Sequence, residues 1–129
     1  MKSLKESILS STKTGKKAFC TLFPKSRFEL LKMIRSEIME KGNNCSLNHI
    51  DTSKITDMST LFFNSNFNGD ISNWDVSNVE YMWSMFENSK FNQDISKWEM
   101  NSKCDTGDMF RNCNIKDEYK PKKDGKIIK

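Results

Sequence analysis

Hydrophobic positions in the middle of this chain recur in step. Offset by 24 residues, Phe67, Ile71, Trp74 and Met85-Phe86 align with Phe91, Ile95, Trp98 and Met109-Phe110. The same frame moved upstream pairs Leu47 with Ile71, Ile50 with Trp74, Ile55 with Val79, Met58 with Met82 and Leu61-Phe62 with Met85-Phe86. Polar positions keep the same step, Asp70 with Asp94, Asn64-Ser65 with Asn88-Ser89 and Asn88 with Asn112. A fixed period of this size marks units that cannot bury an apolar face alone and must stack. Three units are expected, at 43–66, 67–90 and 91–114.

Within one unit, Ile71, Trp74, Val76 and Val79 follow the LxxLxLxx spacing of leucine-rich repeats, which predicts a short strand over Asn73 to Val76. Val79, Met82, Met85 and Phe86 then recur at three- and four-residue spacing, which predicts a short helix behind that strand. Asn88-Ser89 ends the helix, and Phe67-Asn68-Gly69-Asp70 supplies a turn in which Gly69 provides a positive φ. The expected fold is an α/β solenoid, a short leucine-rich-repeat array with one strand and one short helix per 24-residue unit. In the last unit Lys103 and Thr106 replace Val79 and Met82, as suits a terminal unit, and Cys104 can take the Val79 role by a one-residue shift.

The flanks read as caps. Ser26-Arg27-Phe28-Glu29 is a capping-box pattern, followed by the stripe Phe28, Leu31, Ile34 and Ile38 and stopped by Gly42. Residues 1–42 are expected to form an N-terminal α-helical cap over the open end of the first unit. Within it, Ser3 to Glu6 with Ile8 and Leu9 predicts a shorter helix, Thr12 to Lys17 a loop, and Phe19, Leu22 and Phe23 a return to the core. Residues 115–129 are basic, hold Pro121 and Gly125, lack periodicity, and are expected to be loosely ordered.

Composition narrows the function. The 129 residues fit one domain, mean hydropathy is −0.71, and no apolar run approaches the ~18 residues a membrane span needs. Met1 to Ser11 contains no continuous apolar stretch of the secretory type, so a cytoplasmic location is expected, with secretion or surface display left open. Cys20, Cys45, Cys104 and Cys113 form no CxxC pair and His49 is the only histidine, so no metal and no cofactor is expected. Residues 1–42 carry 10 Lys+Arg against 4 Glu, residues 43–114 carry 5 against 10 acids, and residues 115–129 carry 6 against 3. An acidic middle between basic ends differs from the single basic footprint of nucleic-acid binding, which is the less favoured reading. All 13 Asn lie between Asn43 and Asn114, so a chain of a different kind begins after Gly42.

Residues between the apolar strand positions should form columns on one face: Asp51, Asp75 and Glu99; Ser53, Ser77 and Asn101; His49, Asn73 and Lys97. The acidic column is either a set of consensus positions solvated by water or neutralised by Lys97 and Lys54, or a recognition face for a basic partner; its spacing lacks the dense oxygen loop of a calcium site. Trp74 and Trp98 fall at core positions. Trp83 stands in a column with Ser59 and Gly107 and is either a patch filler or an exposed anchor. No Ser, Asp or Cys motif surrounds His49, and there is no phosphate loop, so no enzymatic activity is expected.

The run Phe67-Asn-Gly-Asp-Ile-Ser-Asn-Trp-Asp-Val-Ser-Asn-Val79, then Met82-Trp-Ser-Met-Phe86 and Phe91-Asn-Gln-Asp-Ile-Ser-Lys-Trp98, resembles the BspA-type leucine-rich-repeat family, the DUF285 group. Ile50-Asp-Thr-Ser-Lys-Ile-Thr-Asp-Met58 resembles the opening unit of its short members, and the likeness covers about residues 24–114. The family is abundant in bacterial surface proteins and in mobile or phage-linked genes. The resemblance implies a scaffold for protein recognition rather than a reaction, with a surface adhesin as one use and an inhibitor of a host protein as another. The expected partner is therefore another protein. The alternatives are nucleic acid or an anionic surface on the basic ends, and head-to-tail self-association of acidic array with basic cap.

Overall fold

The structure, a computed structural model, describes residues 21–129. The expectations for Ser3 to Glu6, Thr12 to Lys17 and Phe19 lie outside the described residues.

Helix α1 spans Arg27–Lys41. The Ser26 hydroxyl accepts the Glu29 N–H at 3.2 Å, and the Glu29 carboxylate reaches back to the Lys25 N–H at 2.7 Å, so two donors at the helix start are satisfied reciprocally. Gly42, at φ 90°, donates its N–H to the Ile38 carbonyl at 2.7 Å and ends the helix. The buried side differs from the expected stripe: Leu30, Met33, Ile34 and Glu37 face inward, Leu31 and Ile38 flank them, and Phe28 is 68% exposed. Contacts with the rest of the chain set that rotation. Arg27 donates Nε to the Ser59 carbonyl at 2.7 Å and Nη2 to the Thr60 hydroxyl at 2.8 Å, while Glu37 meets His49.

The α/β solenoid of strand-plus-helix units is not formed. Among the described residues the regular elements are α1, a 3₁₀ turn at Asp117–Tyr119, and a two-stranded antiparallel sheet of β1 (Lys122–Lys123) and β2 (Lys126–Ile127). Residues 43–114 hold neither helix nor strand; they are turns joined by isolated parallel bridges, Asp57 to Tyr81 and Tyr81 to Asp105. The segment expected as a helix spends its N–H groups in two directions. Those of Met58, Thr60, Phe62 and Asn64 donate to the carbonyls of Tyr81, Trp83, Met85 and Glu87 at 2.7–3.0 Å. Those of Leu61, Phe63 and Ser65 close three-residue turns onto Met58, Thr60 and Phe62. Met82, Ser84, Phe86 and Asn88 repeat the first pattern onto Asp105, Gly107, Met109 and Arg111.

Backbone conformation forbids a helix here. Thr60 and Asn64, Ser84 and Asn88, and Asp108 and Asn112 all have φ between 53° and 58°, left-handed values that break an α-helix every fourth residue. The ring ladder forbids it too. Phe62, Phe86 and Phe110 stack at 5.4 and 5.5 Å with interplanar angles of 4° and 3°, whereas packed helices need axes roughly 8–10 Å apart. Phe67 with Phe91 and Trp74 with Trp98 stack in the same way, at 6.3 and 6.5 Å. Each of these indoles donates Nε1 into the preceding segment, Trp74 to the Leu47 carbonyl at 2.9 Å and Trp98 to the Ile71 carbonyl at 3.1 Å. The core is this column of rings with Ile, Val, Leu and Met side chains around it.

Gly69 also has a role other than the expected one. It is not at positive φ; a Cβ there would overlap the Cys45 carbonyl oxygen and come within 2.7 Å of the Phe67 ring. Cys104 is buried and Lys103 exposed, so the one-residue shift that brings Cys104 to the Val79 position is what the chain adopts. Extended chain packs on both ends of the stack, over the first turn at the start and over part of the last segment at the other end. Leu22 bridges Ile50 at the start. At the other end, the segment expected as a loosely ordered tail places Ile115 and Ile128 in the core, accepts the Ile95 N–H at the Tyr119 carbonyl, and bridges Glu99 through Lys122.

Candidate functional site

The expected columns sit on turns, not on a strand. Asp51 and Asp75 each fold their carboxylate back over the next residue but one. Asp51 Oδ1 accepts the Ser53 N–H at 2.9 Å, and Asp75 Oδ1 accepts the Ser77 N–H at 3.0 Å and its hydroxyl at 2.6 Å. Asp70 with Ser72 and Asp94 with Ser96 repeat the device. The serine hydroxyls and N–H groups hold the carboxyls of Asp51, Asp70 and Asp94 below their ordinary range, because a hydrogen-bonded carboxylate is favoured in its charged form. Ser53 and Ser77 are thus turn donors. Asn101 plays the aspartate's part for Lys103, at 3.0 Å, in the segment where the register slips.

The first two segments meet directly at this face. The Thr52 hydroxyl donates to the Asp75 carbonyl at 2.8 Å and Asn78 Nδ2 to the Ser53 carbonyl at 2.9 Å. Asp75, Asn73, Lys97 and Glu99 are exposed, and Asp51 is half-buried. The His49 imidazole is turned to α1. Its Nε2 lies 2.6 Å from Glu37 Oε1, and Lys41 Nζ reaches the same oxygen at 3.2 Å. Glu37 is buried on the inner side of α1 and needs cationic or hydrogen-bonding partners there, so the histidine faces the cap helix.

Trp83 is 43% exposed, and Tyr81, two residues earlier, is 48% exposed. Both stand on ladder positions whose neighbours lie one segment away on either side: Asp57 and Asp105 beside Tyr81, and Ser59 and Gly107 beside Trp83. Bridged residues project to the same side, so Tyr81 shares a face with Asp57 and Asp105. Both aspartates are locally ordered, Asp57 Oδ1 accepting the Ser59 N–H at 2.9 Å and Asp105 Oδ1 the Gly107 N–H at 3.0 Å. Sequence reasoning singled out Trp83 but missed Tyr81, Asp57 and Asp105. The signal was the 24-residue column itself, in which a tyrosine interrupts two aspartates.

The tail lysines are partly committed within the molecule. Lys123 Nζ donates to the Cys104 carbonyl at 2.9 Å, and Lys120 pairs with Asp117 at 2.9 Å. Burial pushes the Cys104 thiol up to about 11, which makes it a core side chain rather than a nucleophile. Among the described residues no group of three His, Cys, Asp or Glu side chains is placed to hold a metal ion, and no helix is long and apolar enough to cross a membrane. The family described as Mycoplasma protein of unknown function, DUF285, matches residues 30–120. No curated protein and no solved structure matches the chain.

Proposed function

We propose that this chain, which belongs to the DUF285 family, is a non-enzymatic protein-binding module that takes a basic segment of a partner protein against Tyr81 and Trp83. One observation carries the reading: two large aromatic side chains are left nearly half exposed on backbone that is hydrogen-bonded to a neighbouring segment on both sides. Rigid, exposed aromatics lose little conformational entropy on binding, which is why such residues dominate binding energy at protein interfaces. The rings supply faces for a lysine or arginine, worth roughly 0.5–2 kcal/mol each as cation–π contacts, and Asp57 and Asp105 supply the opposite charge. Asp75 and Glu99 extend the acidic surface of the same segments. The partner is a protein with an accessible Lys- or Arg-rich stretch; a host protein is one such partner.

Selection of displayed random peptides on the full chain tests this. Enriched peptides should be rich in Lys or Arg and lose tenfold or more in affinity for Trp83→Ala and for Tyr81→Ala. The double variant Asp57→Asn with Asp105→Asn keeps both turn acceptors and should weaken binding while leaving the melting temperature unchanged. Peptides without a basic bias, or equal binding to Trp83→Ala, would remove the proposal.

A further inference from the structure

The ladder that joins the segments has an open end. Met58, Thr60, Phe62 and Asn64 donate to the second segment, and Met82, Ser84, Phe86 and Asn88 donate to the third. The corresponding groups of the third segment, the N–H groups of Thr106, Asp108, Phe110 and Asn112, have no acceptor among the described residues. Backbone donors left in a row without acceptors are a template for another chain.

The C-terminal residues cover only half of this end. The Tyr119 carbonyl takes the Ile95 N–H and Lys122 bridges Glu99, so residues 115–123 act as the next layer over the first part of the last segment. The chain then reverses at Asp124 and Gly125, both at positive φ, and returns as β2. What remains beside Thr106 to Arg111 is a groove of about 680 Å³ whose far wall is the β1–β2 hairpin. Its rim is cationic, with Arg111, Lys123, Lys126 and Lys129 against Asp108 and Asp124. Lys126 and Lys129 have no ion-pair partner among the described residues. Inside the groove lie Phe110, Ile127 and Ile128, with Ile127 45% exposed.

We infer that this groove accepts an extended acidic segment of another polypeptide, which adds to the stack as a further rung parallel to residues 105–112. The interior rungs show what fits. There the same four donors receive carbonyls from every second residue of the following segment, at 2.7–3.0 Å, and the segment that does so beside residues 58–64 carries Glu80 and Glu87. Main-chain bonds give such an addition its affinity, and the lysine rim selects negative side chains. This surface is separate from the Tyr81 and Trp83 side chains and does not depend on them.

The probe is a synthetic peptide with the sequence of residues 79–89, added to the full chain and followed by amide hydrogen exchange. In the free chain, the amides of Asp108, Phe110 and Asn112 should exchange at least tenfold faster than those of Ser84, Phe86 and Asn88. Peptide binding should slow the first set tenfold or more. A scrambled peptide of the same composition should do neither, and Lys126→Glu with Lys129→Glu should weaken binding about tenfold without lowering the melting temperature. The inference fails if the peptide does not bind, if it binds without protecting those amides, if the scrambled peptide protects them equally, or if they are already protected in the free chain at high dilution.

Discussion

Replacing Ser84 by alanine and by glycine separates a stacked-turn backbone from a helical one, because the two architectures give opposite signs. Ser84 has φ 55°, donates its N–H to the Gly107 carbonyl at 2.8 Å, and donates its hydroxyl to Glu87 Oε1 at 2.7 Å. Both substitutions delete the hydroxyl and keep the N–H, so the difference between them reports the backbone alone. A left-handed conformation costs an L-residue about 1–2 kcal/mol and glycine almost nothing. Glycine gives back roughly 0.5–1 kcal/mol through the extra freedom of the unfolded chain. The net expectation is that Ser84→Gly is more stable than Ser84→Ala by roughly 0.5–1 kcal/mol, or a few degrees in melting temperature for a chain of this size. Were residues 79–86 the helix that their apolar spacing predicts, alanine would win by about 1 kcal/mol. Urea unfolding of the two variants, with equal m-values, decides the matter. An alanine variant more stable than the glycine variant would refute the left-handed ladder.

Three further outcomes are expected. Phe86 is stacked against Phe62, Phe91 and Phe110, whereas Phe110 is stacked against Phe86 alone; at about 0.5–1.5 kcal/mol per ring pair, Phe86→Leu should cost roughly 1–3 kcal/mol more than Phe110→Leu in chemical denaturation, and equal costs would count against a ring ladder. Gly69→Ala should destabilise by about 3 kcal/mol or more, because the new Cβ would overlap the Cys45 carbonyl; a melting temperature within a degree or two of the parent would contradict that close approach. The carboxyls of Asp51, Asp70 and Asp94 are held below the ordinary value of 3.8, so they stabilise the fold above that pH, and the contribution disappears as pH falls through their folded-state values. Asp70→Asn with Asp94→Asn retains the turn acceptors and should flatten the fall in melting temperature between about pH 4 and 2; an unchanged slope would show that these turns do not carry it.

The 24-residue frame makes the candidate site only partly legible in the sequence, because the apolar pattern singles out Trp83 and passes over Tyr81, Asp57 and Asp105. Trp83 stands out in the sequence because serine and glycine share its column, and the structure leaves its side chain 43% exposed. Asp51, Asp75 and Glu99 were placed in one column, but spacing could not show that the first two spend an oxygen on their own turns. The contact of His49 with Glu37 is not legible in the sequence, because no local pattern links residues 12 positions apart across a change of element. The cap helix itself was read from Ser26, Glu29 and Gly42, which act through neighbours three or four residues away. Its inward face was not, since Arg27 and Glu37 set the rotation through contacts with residues of the first segment.

The sequence by itself determined the period, the repeated apolar positions of the stack and the ends of the helix, because each of these depends on side-chain type at fixed spacing. It also held the left-handed positions, in the Asn64, Asn88 and Asn112 column, although a helix stop was the simpler reading of Asn88-Ser89. Only the tertiary structure decided what the period builds. An apolar spacing of three and four residues serves a helix as well as a run of turns. The choice falls to the turns because rings stacked about 5.5 Å apart leave no room for helices side by side, and because alternate N–H groups find their acceptors on the next segment. The same long-range decision leaves Tyr81 and Trp83 exposed, and it leaves the last row of donors open.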